Sequence, residues 1–377
     1  MNRDKFLKSP LKGSIKDMSM HCDSLRKNTD NPLDITFESY IKKKANVASL
    51  TALFDELGIN PAIDTIENIF TLPDESVRWL VPEIFREALR LGMRKSPIWS
   101  DIVAAEQTVK QLTITSPWFN MSEAAPSYVD QGETIPLGNV SFDKKQVSLR
   151  KIGKGVKIPY EVRNYVSINI VSIFLQDFGV KLGQAIDTLL INTLINGEQT
   201  NGSESAPVVG IDTANTLTYG DLLRVWVRMS RIGKTPTKII GGETAALTTL
   251  NLAEFKTNTN GGTAGAGIPG QSPAMKLKTP IPSSSDYYIH GAMPANQQLV
   301  IDPTAAIIKY NAQPLLVESE KIASNQTEAT YATLTTGFSI VFRDARVIID
   351  SSLDFQTTGN GFPSYMDADT AEVQEIQ

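Results

Sequence analysis

Gly265, Gly267 and Gly270 have the spacing GxGxxG, by which a tight turn lets a backbone and a helix N-terminus approach a pyrophosphate. That chemistry needs a strand before the turn and a helix after it. Here a polar, glycine-rich stretch precedes the motif, Pro269 sits inside it and Gln-Ser-Pro follows, so the composition predicts a loop. Gly233-Lys234-Thr235 has the ending of a phosphate-binding loop. Its required first glycine would fall at position 228, which is Arg228, and Pro236 blocks the expected helix start. His21, His290 and Cys22 are the chain's whole complement of histidine and cysteine, too few for a His/Cys zinc site or an internal disulfide. His290, in YYIHGAM, reads as a partly buried strand histidine, and Cys22 as an incidental thiol in a mobile leader. No GxSxG marks a nucleophile, and the carboxylates are scattered. A Ser-His-Asp set is defined by geometry and stays open at this level. The residue types therefore name no catalytic, cofactor-binding or metal-binding residue, and the expectation is a protein that is not an enzyme.

Those residues belong to a chain of 377, of which 41% is hydrophobic and 20% charged, enough to bury a core and too apolar for a disordered tract. No apolar run approaches the roughly 18–20 residues that span a bilayer. The basic N-terminus lacks the apolar segment of a secretory signal. The first fifty residues carry ten Lys/Arg and six Asp/Glu, a balance of +4, which leaves −9 for the rest of a chain whose net charge is −5. The body is too acidic for a dedicated nucleic-acid binder and shows no DNA- or RNA-binding signature.

Residues 1–45 read as a polar, disordered leader. Val47, Leu50, Leu53, Phe54 and Leu57 then recur at helical spacing up to Gly58, and a short helix is expected over 62–70. Asp74 is a candidate N-cap for a stripe of Val77, Leu80, Ile84 and Leu91 that ends before Gly92, with a break or kink at Pro82. From Gln111 the period becomes two, and Gly132, Pro136, Gly138 and Asn139 supply turn chemistry. A long two-stranded hairpin with its tip near Gln131–Gly138 is expected. It holds few anchors and would be marginal alone in water, so it must rest on something. A helix follows from Ser167, with Val171, Leu175, Phe178, Leu182, Ile186, Leu189 and Leu190 on one side, and Gln176, Lys181, Gln184 and Asp187 opposite. About 28 residues make a rod of roughly 40 Å. Gly179 and Gly183 weaken that rod unless another element packs closely across them. Beyond it come helices near Tyr219–Arg231 and from Glu243, strands at Thr237–Gly242, Tyr287–His290, Gln298–Ile301, Ala306–Tyr310 and Leu315–Glu318, closing strands YATLTTGFSIVF and RVIIDS, and an acidic, disordered end.

This order of parts resembles tailed-bacteriophage major capsid proteins of the HK97-like fold. VPEIFREALRLGMRKSPIWSDIVAAEQTV is similar to their arm, and QGETIPLGNVSFDKKQVSLRKIGKGVKIPYEV to their extended E-loop. FGVKLGQAIDTLLINTLING, with its Ala185-Ile186-Asp187 run, resembles the end of the spine helix. AMPANQQLVIDPTAAIIKY and PLLVESE resemble the axial strands, and TGFSIVFRDARVIID the peripheral strand that closes the fold. The resemblance covers about residues 75–355.

It implies an α+β chain with an N-terminal arm, an E-loop hairpin, a spine helix, and peripheral and axial domains. Residues 1–70 would be a leader or scaffold-like segment, cleaved or retained, and 71–110 the arm. The E-loop would span 111–160. The peripheral domain would comprise 161–215 with 322–360, the axial domain 216–321, and the tail 361–377. The implied function is a major capsid protein that self-assembles into hexamers and pentamers of an icosahedral head around double-stranded DNA. Implied partners are copies of itself, a scaffold, a portal, and a maturation protease or decoration proteins, with weak non-specific contact to DNA and none to membrane. The implied location is the virion, after assembly in the bacterial cytoplasm. Some relatives cross-link an E-loop lysine. Lys144 and Lys145 are the nearest candidates, but two solvated strand lysines is the reading the residues favour. An encapsulin-type nanocompartment shell protein, usually shorter and without so long a leader, is the alternative on the same fold. A nucleotide-dependent enzyme using the Gly-rich loop is the alternative outside it.

Overall fold

The computed structural model describes residues 15–27, 35–44, 48–71, 75–95, 97–122, 131, 139–198, 205–252, 275–278, 283–363 and 366. The described residues of the expected disordered leader, 15–27 and 35–44, are almost all helix. Helices α1 (Ile15–Lys27), α2 (Phe37–Lys44), α3 (Leu50–Leu57) and α4 (Ile66–Phe70) form one apolar cluster with helix α5 (Leu80–Arg94). The apolar residues are sparse among lysines, yet Ile15, Met18 and Cys22, and again Phe37, Tyr40 and Ile41, fall at steps of three and four. That is the spacing one helix face needs, and all six are buried. Ser49 caps α3 through the Ala52 amide, and Gly58, at φ 69°, ends it in a left-handed turn.

A buried charge network fastens α1 to α5. Glu83 is 1% exposed and accepts from Arg26 at 3.1 Å, Arg86 at 2.6 Å and the Ser19 hydroxyl at 2.8 Å. Arg26 also donates to Asp23 and to the Ile35 carbonyl. Asp74 lies outside the described residues. Pro82 does not break α5. It is the third residue of the helix, where the amide it lacks would have had no intrahelical acceptor. Leu91 is 45% exposed, and the face that packs is Leu80, Ile84, Phe85, Ala88, Leu89 and Met93.

Helix α6 (Trp99–Ile102) and strand β1 (Ala105–Thr108) lead to the ribbon of β2 (Thr113–Ser122) and β3 (Asn139–Ser148). The ribbon is antiparallel from Thr113↔Ser148 to Ser122↔Asn139. Its expected tip lies outside the described residues, apart from exposed Gln131. Strand β4 (Arg150–Pro159) and helix α7 (Tyr160–Tyr165) then deliver the chain to α8 (Ile168–Asn196), a 29-residue rod stopped at Gly197. Gly92 is not a stop signal. It lies inside α5, where a Cβ would come within 2.0 Å of the Gln176 carbonyl oxygen of α8. A Cβ at Gly179 would be 2.2 Å from the Leu89 carbonyl. The two helices thus cross glycine against glycine, as a close-packed partner over Gly179 requires.

The remaining elements are β5 (Val208–Ile211), α9 (Tyr219–Arg231), β6 (Lys238–Gly241), α10 (Glu243–Leu250), β7 (Met275–Lys278), β8 (Ser283–Ile289), β9 (Gln297–Ile301), β10 (Ile307–Ile322), β11 (Thr327–Ile340) and β12 (Arg346–Asp354). They form a four-stranded sheet ordered β1-β10-β11-β4 and a six-stranded sheet ordered β5-β12-β9-β6-β8-β7. Sheet membership crosses the boundaries expected at 215/216 and 321/322. The two segments expected near 306–310 and 315–318 are one long strand. A short turn joins it to β11, so the antiparallel pair must share a sheet. β12 instead leaves that sheet after the Arg343–Ala345 turn and pairs with β9 and β5. Most of the C-terminal end lies outside the described residues, but Met366 is fully buried against the six-stranded sheet's core.

Candidate assembly surfaces

The residues whose types suggested chemistry are dispersed and occupied structurally. Gly265, Gly267 and Gly270 lie outside the described residues. Gly233-Lys234-Thr235 ends α9. Gly233, at φ 77°, donates to the Ser230 carbonyl and Lys234 to that of Met229, the paired bonds of a left-handed helix stop. The Lys234 ammonium then sits 4.2 Å from the Phe342 ring centre, and the Thr235 amide donates to Asp302. No phosphate could be cradled by amides so engaged. His290 is half-buried just past β8, its Nδ1 accepting from the Ala292 amide, and burial lowers its pKa. His21 lies on α1 beside the Tyr40 hydroxyl at 2.7 Å. Cys22 is fully buried rather than mobile, and burial pushes its thiol up to about 11, an unreactive state. Among the described residues no group of three acidic, His or Cys side chains is placed to hold a metal. No helix there is long and apolar enough to cross a membrane.

Asp187, expected on the polar side of α8, is instead fully buried. Its carboxylate accepts the Ile98 and Trp99 amides at 3.1 and 3.0 Å and so caps α6. Burial raises its pKa to about 6, against the pull of those two amides and of Lys309. Lys309 on β10 is 4% exposed. Its ammonium lies 3.1 Å from the Trp99 ring centre and 3.6 Å from Glu106 on β1. Burial lowers it to about 8, with Glu106 opposing. Asp101 accepts from the Tyr288 hydroxyl at 2.8 Å. Residues 98–106 are thereby pinned to the long helix, to the four-stranded sheet and to the six-stranded sheet. Two signals pointed here. Asp187 falls four residues after Gly183 and four before Ile191, within the packed stripe, and Lys309 interrupts the apolar run Ala305–Tyr310.

Two features lack cover from the other described residues. The β2–β3 ribbon pairs with no third strand among the described residues. Its base is anchored where Val147 and Leu149 join Tyr310 in a small buried cluster, with Ile114 and Ile308 against it. The other feature is on α8, whose first turns expose Ile170 (48%), Ile173 (64%) and Phe174 (70%) at steps of three and four, with Tyr165 (83%) just before. Scattered exposed apolar residues are ordinary, whereas these three large ones form a patch on one helix face among the described residues.

No family model and no curated protein matches the chain. Among solved structures several match it at low identity. One is a virus-like particle from Pyrococcus furiosus, at 10% identity and TM-score 0.45, covering 71% of this chain and 98% of that one. A structure of Mycobacterium phage Bobi matches at 12% identity and TM-score 0.46, over 68% and 90%. The capsid of an empty GTA particle matches at 10% identity and TM-score 0.47, over 67% and 88%.

Proposed function

We propose that this chain is a shell-forming structural protein and not an enzyme: a major capsid protein of the HK97-like kind, which assembles with copies of itself into hexamers and pentamers around double-stranded DNA. The observation that carries the reading is a two-stranded ribbon with no third strand among the described residues and an apolar cluster at its base, on a chain that also exposes the Ile170/Ile173/Phe174 face. An isolated ribbon of this kind is marginal in water and gains stability by lying on another surface. One chain that offers both an arm and an uncovered face can make heterologous contacts, and such contacts close into rings and shells. The ordered sequence resemblance over about residues 75–355 supports the same reading.

In finer terms, the ribbon with β4 is the E-loop and α8 the spine helix. The four-stranded sheet belongs to the peripheral domain and the six-stranded sheet to the axial one. Scaffold, portal, protease and decoration proteins are the partners this role calls for, and the bacterial cytoplasm is the place of assembly. Negative-stain microscopy of the purified chain tests the reading. Shells, tubes or capsomers are expected, and a chain that stays monomeric at high concentration refutes it. Particles that enclose a protein cargo and no DNA would move the assignment to a nanocompartment shell.

A further inference from the structure

Between Lys144 and Pro159 the sequence holds six basic residues and no acidic one, in a chain that is acidic overall. The structure places the second half of this run, Arg150–Pro159, at one end of the four-stranded sheet as β4, an edge strand. At the other end, β1 covers β10 only from Ile308 to Asn311, so β10 beyond its irregular stretch at Gln313–Leu316 is an edge as well. The register places Gly155, Tyr331 and Glu318 on one rung across the sheet, and Lys157, Ala329 and Glu320 on the next. Residues two apart on a strand share a face, so Lys151 and Lys157 on one edge share a face with Glu318 and Glu320 on the other. All four are exposed, and none has an ion-pair partner among the described residues. The long helix α8 packs on the sheet's opposite face.

Within one chain these charges cannot neutralise each other. Lys157 and Glu320 stand two strands apart, roughly 10 Å at ordinary strand spacing, with β11 between them. Tyr331, 38% exposed, occupies the middle of the face beside Gly155, where a Cβ would fall 2.7 Å from its ring. Gly153 and Gly155 leave the basic edge low and open to approach. A basic edge on one side and an acidic edge on the other make a polar module that complements a translated or rotated copy of itself.

We infer that this sheet is a head-to-tail interface between copies of the chain, the Lys151/Lys157 edge of one subunit lying against the Glu318/Glu320 edge of the next. The occupant is a second copy because this chain carries the complementary charge on the opposite edge of the same face: Lys157 and Glu320 share a rung, and Lys151 and Glu318 extend the two edges on rungs of their own. Such a contact is heterologous, and repeated by rotation it closes a ring. The inference rests on the assembly reading above and specifies one of its contacts.

Charge reversal separates the two. The variant K151E/K157E would carry acidic charge on both edges, and E318K/E320K basic charge on both. Each should fold, with a melting temperature near that of the parent, because the four side chains are exposed. Each alone should need at least ~10-fold more protein than the parent to form capsomers in sedimentation velocity at low salt, since like charges then meet. Mixed in equal amounts, the two should assemble again, alternating around even-membered rings, and the mixture's advantage should shrink as salt screens the edges. If both reversed chains assemble as readily as the parent, or if mixing restores nothing, this interface is wrong while the assembly reading stands. If the parent itself never assembles, both fall together.

Discussion

The crossing of α5 over α8 gives three glycines with different fates on substitution by alanine. In a helix interior alanine is favoured over glycine by about 0.8–1 kcal/mol. At Gly183 the added methyl would meet its nearest atom, the Met93 carbonyl oxygen, at 3.4 Å, so most of that gain should be realised. At Gly179 the methyl would lie 2.2 Å from the Leu89 carbonyl oxygen, and at Gly92 it would lie 2.0 Å from that of Gln176. Both obstacles are backbone, which cannot swing aside as a side chain can. Relief requires the two helices to part by about 1 Å, forfeiting dispersion contact along the whole crossing. Overpacking of this kind costs about 1–3 kcal/mol. The propensity gain is common to all three, so Gly179→Ala and Gly92→Ala should be less stable than Gly183→Ala by the overpacking cost, about 1–3 kcal/mol. Urea unfolding followed by far-UV circular dichroism reads this as a lower midpoint at unchanged slope. Equal midpoints for the three variants would refute the glycine-on-glycine crossing.

Further outcomes follow from the buried charges and the ribbon. Asp187 binds its proton more tightly folded, at about 6, than unfolded near 3.8, so its contribution favours the folded state most at low pH and is lost as pH rises from about 4 through 6. The span is about 3 kcal/mol at 1.36 kcal/mol per pH unit. Asp187→Asn should flatten that part of the stability profile, and a difference profile without slope between pH 4 and 6 contradicts the assignment. Glu83→Gln removes the buried carboxylate that Arg26 and Arg86 share and leaves them the more exposed Asp23, at a cost below the about 3–5 kcal/mol of a fully unpaired buried charge. It should raise the rate at which a thiol reagent reaches Cys22 at least tenfold, whereas a parent thiol that reacts at once in native buffer contradicts the packed α1. Replacing residues 123–138 by Asn-Gly, which closes the ribbon at Ser122↔Asn139, should leave the subunit's melting unchanged and abolish particles. Global unfolding of that variant would make the tip part of the subunit's own core.

Where a regular apolar face and turn residues at its ends coincide, the sequence was legible. α9 runs over the expected Tyr219–Arg231, and β6 and β9 lie at or within a residue of the expected positions, because apolar spacing and turn residues coincide there. The leader misled because its apolar residues are few, and their helical spacing counts only once α5 supplies a surface to receive them. Asp187 misled for a related reason. A carboxylate on a helix reads as solvent-facing until another segment brings two unpaired amides to it.

What the linear chain settles here is local: most of the helices and strands after residue 47, that the ribbon holds few apolar anchors, and that the histidines and the cysteine are too few for a His/Cys zinc site. Those properties depend on neighbours within a turn or a strand pair. The tertiary structure alone decides that Gly92 meets Gly179, that β10 and β12 go to different sheets, and that a basic edge and an acidic edge lie on one face. Each depends on residues far apart in sequence, brought together only by packing of the whole chain, and no local pattern of residue types encodes that distance.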